Sequence, residues 1–372
     1  MSAQPREARH ARAMALAAAI AGAVAGAGLL AACGSAPASS AAPNPARPVP
    51  SVPMATSLDT AGDSWAVVPM SASPAFWQVF VRPAKSAAWQ LVTPPGVADN
   101  GGLVAAGTGG SLTVAIRPSQ GLTFSPLAVT ANGGARWGTG LIDAGVAATP
   151  DALAASGRRL AALLSDGTIL ASSDAGATWR TLAAPGAIAA SPAGRECGAV
   201  GVTGVTFGIT QGQVLAAGTC GTAGTTVFAH SAAGWRRLSL PVRGRVVRML
   251  AGLMLVASGS RLYATWDTAG AWPVSPPLPA AGVVAAGGFG ADGAWALLPG
   301  RRAAVIAGPG QPWRSLPAVP AGTAVLAAGP GGAVDALATS GSTLTVWRLS
   351  GAAAVWSETQ QVDVPLQYGS SS

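Results

Sequence analysis

Few side chains in this sequence can do chemistry, and their types narrow what it can attempt. Beyond residue 32 there is one histidine, His230, two glutamates, Glu196 and Glu358, and two tyrosines, Tyr263 and Tyr368; the cysteines are Cys33, Cys197 and Cys220. Structural zinc takes four nitrogen or sulfur donors, and Cys197, Cys220 and His230 do not make four. A hydroxyl nucleophile needs a base beside it, and His230 stands at the end of a strand-like run entering a turn. No metal and no cofactor is expected. Arginine is the abundant reactive type, since Lys85 is the only lysine. Its planar fork of donors suits carboxylate, sulfate or phosphate, and Arg117, Arg243, Arg245, Arg261, Arg301 and Arg302 are candidates for such an anion-binding face. The same residues also suit solvated turns.

The chain that must position these groups has 372 residues, 50% hydrophobic and 10% charged, with 50 Gly and 29 Pro. That is too apolar for a disordered polymer and too rich in turn formers for a helical bundle. Its first 32 residues read as an export signal: Arg6, Arg9 and Arg12 precede an uncharged stretch, residues 13–30, carrying Leu16, Ile20, Val24, Leu29 and Leu30. The stretch ends in Leu30-Ala31-Ala32-Cys33-Gly34-Ser35, which resembles the lipobox of bacterial lipoproteins. That resemblance implies cleavage before Cys33, diacylglycerol on its thiol, and an extracytoplasmic protein anchored to the membrane by lipid, two acyl chains being what stable attachment requires. Residues 33–55 are rich in Ala, Pro and Ser and read as a linker. Losing residues 1–32 removes three arginines and Glu7, taking the formal charge from +8 to +6. Nucleic acid is not an expected partner outside the cytoplasm.

Tryptophan sets the architecture. Trp89, Trp137, Trp179, Trp235, Trp272, Trp313 and Trp356 are spaced by 48, 42, 56, 37, 41 and 43 residues. A period of about 44 residues in a chain of short strands is the mark of a propeller blade. Glycine-bearing turns precede several of these tryptophans, and Trp65-Ala-Val-Val-Pro69 matches Trp295-Ala-Leu-Leu-Pro299. The expected fold is all-β: a seven-bladed propeller of four-stranded antiparallel blades over residues 56–366, with a tail at 367–372. Cys197 and Cys220 pair in an exported chain. Cys197 precedes a first strand at about 201–210, and Cys220 ends a second at about 214–220, so adjacent strand ends bring the thiols together within the longest repeat.

One turn is more specific. Ser173 (or Ser172), Asp174, Gly176, Thr178 and Trp179 resemble the Asp-box, or BNR repeat, of sialidases and of many non-enzymatic propellers, including photosystem II stability factor-like proteins. The resemblance implies a structural turn between third and fourth strands, on the face opposite a propeller's usual site, where the loops from strand four to the next blade and from strand two to strand three gather. The arginines above are expected on that second face with Asp99, Asp143 and Asp166. A sialidase would need an arginine triad, a Tyr/Glu nucleophilic pair and an Asp acid/base. Tyr263 faces no glutamate in this reading, and Tyr368 lies in the tail. The expectation is therefore a non-catalytic, membrane-anchored propeller binding a cell-envelope protein or glycan. A sialidase-like glycan hydrolase or lyase and an assembly or stability factor for a membrane complex remain alternatives.

Overall fold

The computed structural model describes residues 54–365, apart from 72–75, 95–99, 119–124, 143–147, 210–211, 222–223, 269–270 and 352–354. Cys33, the expected signal, most of the expected linker and the expected tail therefore lie outside the described residues. Seven four-stranded antiparallel sheets follow one another, each with its strands in chain order. Their innermost strands are Thr56–Thr60, Asn100–Thr108, Pro150–Ser156, Ala199–Phe207, Arg245–Leu250, Ala285–Phe289 and Thr323–Ala328, numbered here as blades one to seven. The seven-bladed propeller expected from the tryptophan period is the fold.

Composition along each blade follows from where its strands sit. Second strands are covered on both sides by neighbouring blades, so they read as continuous apolar runs rather than alternating ones. Gly293–Leu298 is buried at every position, and Asp63–Met70 at six of eight. Innermost strands converge on the axis and need small residues. A Cβ on Gly287 would lie 2.7 Å from the Ser57 amide nitrogen, and one on Gly107 would run into the side chains of Thr60 and Leu58. Outermost strands shrink to two residues in blades one, five and six, Gln90–Leu91, Leu278–Pro279 and Arg314–Ser315, leaving little unpaired edge.

The tryptophans join each blade to the one before. Trp137 donates its indole N–H to the Val92 carbonyl (2.9 Å), Trp313 to Ser275 Oγ (3.2 Å) and Trp356 to the Pro317 carbonyl (3.4 Å). Trp179 packs against a core cluster that includes Leu127 and Ala115 of blade two, and Trp272 against one that includes Leu215 and Val227 of blade four. Trp89, in the first blade, has no earlier blade and reaches the last, donating to Asp335 Oδ2 at 3.0 Å. Among the described residues no sheet mixes strands from the two ends of the chain. The ring closes through Gln360, which bonds both the amide and the carbonyl of Trp89 at 2.8 Å, and through the Ser71 amide, which donates to the Gly341 carbonyl at 3.0 Å. The innermost strand of blade one also touches blade six: Ser57 Oγ accepts from the Trp295 indole at 2.6 Å, and its proton is shared between the Leu326 and Gly288 carbonyls.

Blade four carries the insertion behind the 56-residue spacing. It holds two short helices, Ala187–Ala190 and Pro192–Cys197, which sequence reading did not foresee, because four and six residues are too few to show a helical period. A local signal exists in Ser191-Pro192: Ser191 accepts from the Gly194 amide at 3.0 Å, and proline suits the first helical position. Cys197 and Cys220 form a disulfide with Cα atoms 5.1 Å apart. The second strand runs Val214–Cys220, as expected. The first runs Ala199–Phe207, starting and ending earlier than expected, because the Gly208 amide already closes the turn onto the Gln213 carbonyl.

Candidate functional site

Up-and-down strand order puts the two loop classes at opposite ends of the ring. All six candidate arginines fall at one end, Arg243 and Arg301 in connections and Arg117, Arg245, Arg261 and Arg302 on the strand ends beside them. The structure divides them. Arg117 pairs with Asp151 at 3.2 Å, binding blade two to blade three. Arg243, Arg245 and Arg261 belong to blade five, and Arg301 and Arg302 to blade six; all five are exposed. Arg301 takes a left-handed φ of 61° and donates Nε to the Val319 carbonyl at 2.6 Å. Of the three aspartates expected with them, Asp99 and Asp143 lie outside the described residues. Asp166 closes its own turn, accepting from the Thr168 amide (2.8 Å) and hydroxyl (3.0 Å).

The turn at 172–179 lies at the other end. Ser172, not Ser173, is its serine: Ser172 Oγ donates to Asp174 Oδ1 (2.7 Å) and accepts from the Gly176 amide (2.9 Å), whereas Ser173 is exposed. Strand alternation decides between them, since Ser172 ends the third strand on its buried side. Asp174 then accepts from the Thr178 amide (2.9 Å) and hydroxyl (2.6 Å), and these bonds hold its carboxyl down from 3.8 to about 2. Gly176 has φ +90°, and Trp179 donates to its carbonyl at 3.1 Å. Blade two repeats the pattern: Thr130 Oγ1 accepts from the Gly134 amide, and Asn132 Oδ1 from the Arg136 amide. The side chains of Ser172 and Asp174 spend their bonds inside the turn, and the Ala175 amide ties it to the Arg158 carbonyl at 2.7 Å.

The remaining titratable groups are dispersed. His230 meets Trp235 edge-on at 5.0 Å, and burial, with Arg180 nearby, pushes its pKa down. Tyr263 sits in the third strand of blade five, Glu196 in the helix of blade four and Glu358 in the outermost strand of blade seven, so the Tyr/Glu pair is not assembled from them. Among the described residues no group of three or more His, Cys, Asp or Glu could hold a metal ion, and no helix is long and apolar enough to cross a membrane.

No protein-family model and no curated protein matches the chain. Solved structures do. One from Bacteroides fragilis, described as a putative 6-phosphogluconolactonase, is 12% identical, with 82% of this chain and 96% of that one covered and a TM-score of 0.51. YCF48 from Cyanidioschyzon merolae is 12% identical over 82% and 95% of the two chains, with a TM-score of 0.46. A structure of YCF48 bound to a D1 peptide is 16% identical over 73% and 84%, with a TM-score of 0.43. At such identities likeness extends to fold and no further.

Sequence reading missed a cavity of about 230 Å³ on the propeller axis. It is lined by the innermost strands of blades one to six, because the contact of Ser57 with blade six sets the strand of blade seven back from it. Arg248, from Arg245–Leu250, lines this cavity. The strand bulges between Val246 and Arg248, which changes the side chain's aim. A bulge leaves no mark in a run such as Val-Val-Arg-Met-Leu, so only pairing could reveal it.

Proposed function

We propose that the protein is a non-catalytic binding module of the cell envelope, lipid-anchored through Cys33 and presenting its arginine-rich end to an acidic partner, protein or glycan. The observation that carries this reading is the set of five exposed arginines on two neighbouring blades at one end of a closed ring. Loops on a packed scaffold hold their charges in fixed array, and a guanidinium array draws anionic surfaces toward it. Residues 34–55 serve as the tether between lipid and ring. The bonding pattern at 172–179 supports reading that turn as an Asp-box.

Mild crosslinking followed by pull-down from membranes tests the proposal. Wild type should capture an acidic envelope component, and a variant combining Arg243→Ala, Arg245→Ala, Arg301→Ala and Arg302→Ala should lose it, with salt weakening the wild-type capture. Equal capture by both at low salt returns these arginines to solvated turns. A Cys33→Ser chain should take up no labelled fatty acid, and a wild type that also takes up none removes the anchor.

A further inference from the structure

The axial cavity contains a charge that no described residue answers. Among the described residues Arg248 makes no ion pair, and its Nε is buried with no hydrogen-bond partner. The carboxylates that line the same cavity are otherwise placed. Asp151 is held by Arg117, and Asp292 is exposed at the turn of blade six. Asp59 lies in the wall formed by blades one and six, where burial raises its pKa against the pull of Ser64, the Gly290 amide and Arg82, and its Oδ2, like Arg248 Nε, is buried with no hydrogen-bond partner. Burial likewise lowers Arg248 to about 10, so the guanidinium keeps its charge at neutral pH. A buried cation without a partner costs stability that a Met or Leu at this position would not.

The walls and the mouth define what would answer it. Leu153, Val205, Met249 and Leu250 line the cavity, and Ile209, 65% exposed, stands at the end formed by the turns between first and second strands. The Ile209 amide is held by Asp267 Oδ2 at 3.0 Å, so this apolar residue is fixed at the rim. One guanidinium balances one negative charge; a dianion would leave a second charge uncompensated in a cavity already lined by Asp59, Asp151 and Asp292. A carboxylate also matches the planar donor fork.

We propose that the axial cavity is a binding site for a small monocarboxylate with an apolar body, its carboxylate held by Arg248 and its body lying along the cavity toward Ile209. This site is separate from the exposed arginine end and does not depend on that reading.

Sodium hexanoate is the probe, with hexan-1-ol carrying the same body without charge and acetate the charge without body. By calorimetric titration of the purified full chain, hexanoate should bind saturably at one site, with both controls at least ten-fold weaker. Arg248→Met should weaken hexanoate at least ten-fold while raising the melting temperature of the unliganded protein, and Ile209→Asp should weaken it as well. Arg314→Ala, on the outermost strand of blade six, should change nothing. If Arg248→Met does not fold, the comparison of hexanoate with hexan-1-ol on wild type still decides. Absence of saturable hexanoate binding, hexan-1-ol binding as tightly, or undiminished hexanoate binding by Arg248→Met overturns the proposal.

Discussion

The indole N–H of Trp89 in the first blade donates 3.0 Å to Asp335 in the last, across 246 residues of sequence. It repeats, at the seam, the contact by which Trp137, Trp313 and Trp356 each bond the preceding blade. The acceptor differs in kind: elsewhere it is a carbonyl or hydroxyl, and here it is a fully buried carboxylate that Arg348 grips with Nε at 2.7 Å and Nη2 at 2.9 Å. That bond is the main reason the Arg348 guanidinium is raised above its ordinary pKa. Arg82 adds a second cation at 3.8 Å and bonds the Ala328 carbonyl at 2.8 Å.

Removing the carboxylate strands buried donors on both blades. Asp335→Ala should therefore cost about 3–5 kcal/mol, the usual loss when one partner of a buried ion pair is deleted. Trp89→Phe, which deletes the indole N–H together with one of its two fused rings, should cost about 1–3 kcal/mol for the lost bond and more for the cavity the smaller ring leaves. Urea unfolding followed by tryptophan fluorescence reads both; a loss under 1 kcal/mol for Asp335→Ala would mean the seam is held elsewhere.

The tryptophan period was legible because each blade repeats a local solution: strand, glycine turn, aromatic anchor. The same locality exposed the turn at 172–179 and placed Cys197 and Cys220 at adjoining strand ends. What stayed hidden is set by partners distant in sequence. Asp335 looks like any strand aspartate until Trp89, Arg82 and Arg348 surround it, and Arg248 looks like the exposed arginines until a bulge and the strands of five other blades set it in the cavity. The short helices before Cys197 fell between two periods, too brief for one and unlike the other.

Gly176 combines two constraints that Gly157 separates. Both have positive φ, +90° and +62°, but a Cβ at Gly176 would run into the Leu127 side chain of the preceding blade, while at Gly157 it meets nothing within 4 Å. Gly157→Ala should thus cost about 1–2 kcal/mol for backbone alone. Gly176→Ala should cost a further 1–3 kcal/mol for the clash. Equal losses in thermal unfolding would remove any packing role for this glycine.

The acid limb of stability should carry the signature of Asp174. Its folded pKa of about 2 lies below the ordinary 3.8, so its contribution is complete above pH 4 and disappears as pH falls toward 2. Asp174→Asn keeps an acceptor for the Thr178 amide, as Asn132 does for Arg136 in blade two, and removes the titration. Melting temperature against pH should then fall less steeply between pH 4 and 2 in the variant. Parallel curves would show that the native turn does not depend on this charge.

The disulfide has a local target as well as a global one. Cys197 is the last residue of the helix Pro192–Cys197 and Cys220 the last of a buried strand, 23 residues on. Beside it Gly198, at φ 62°, ends the helix, and the Gly221 amide bonds the Gly198 carbonyl at 3.0 Å. Such short helices are marginal alone. Theirs is borrowed order, with Ile188 and Ala193 packed against Val205 and Phe228 and the disulfide fixing the far end. Closing a loop of this size contributes about 3 kcal/mol on the chain-entropy estimate. Trypsin gives the local readout, because Arg195 is exposed but cleavable only when its helix opens. Cys220→Ser should speed cleavage after Arg195 at least ten-fold, about 1.4 kcal/mol of lost protection, while sites in other blades keep their rates. Peptide mapping of unreduced wild type should recover Cys197 and Cys220 in one linked pair. Free thiols at both positions in envelope-purified protein, or cleavage unaffected by the substitution, would leave the helices anchored by packing alone.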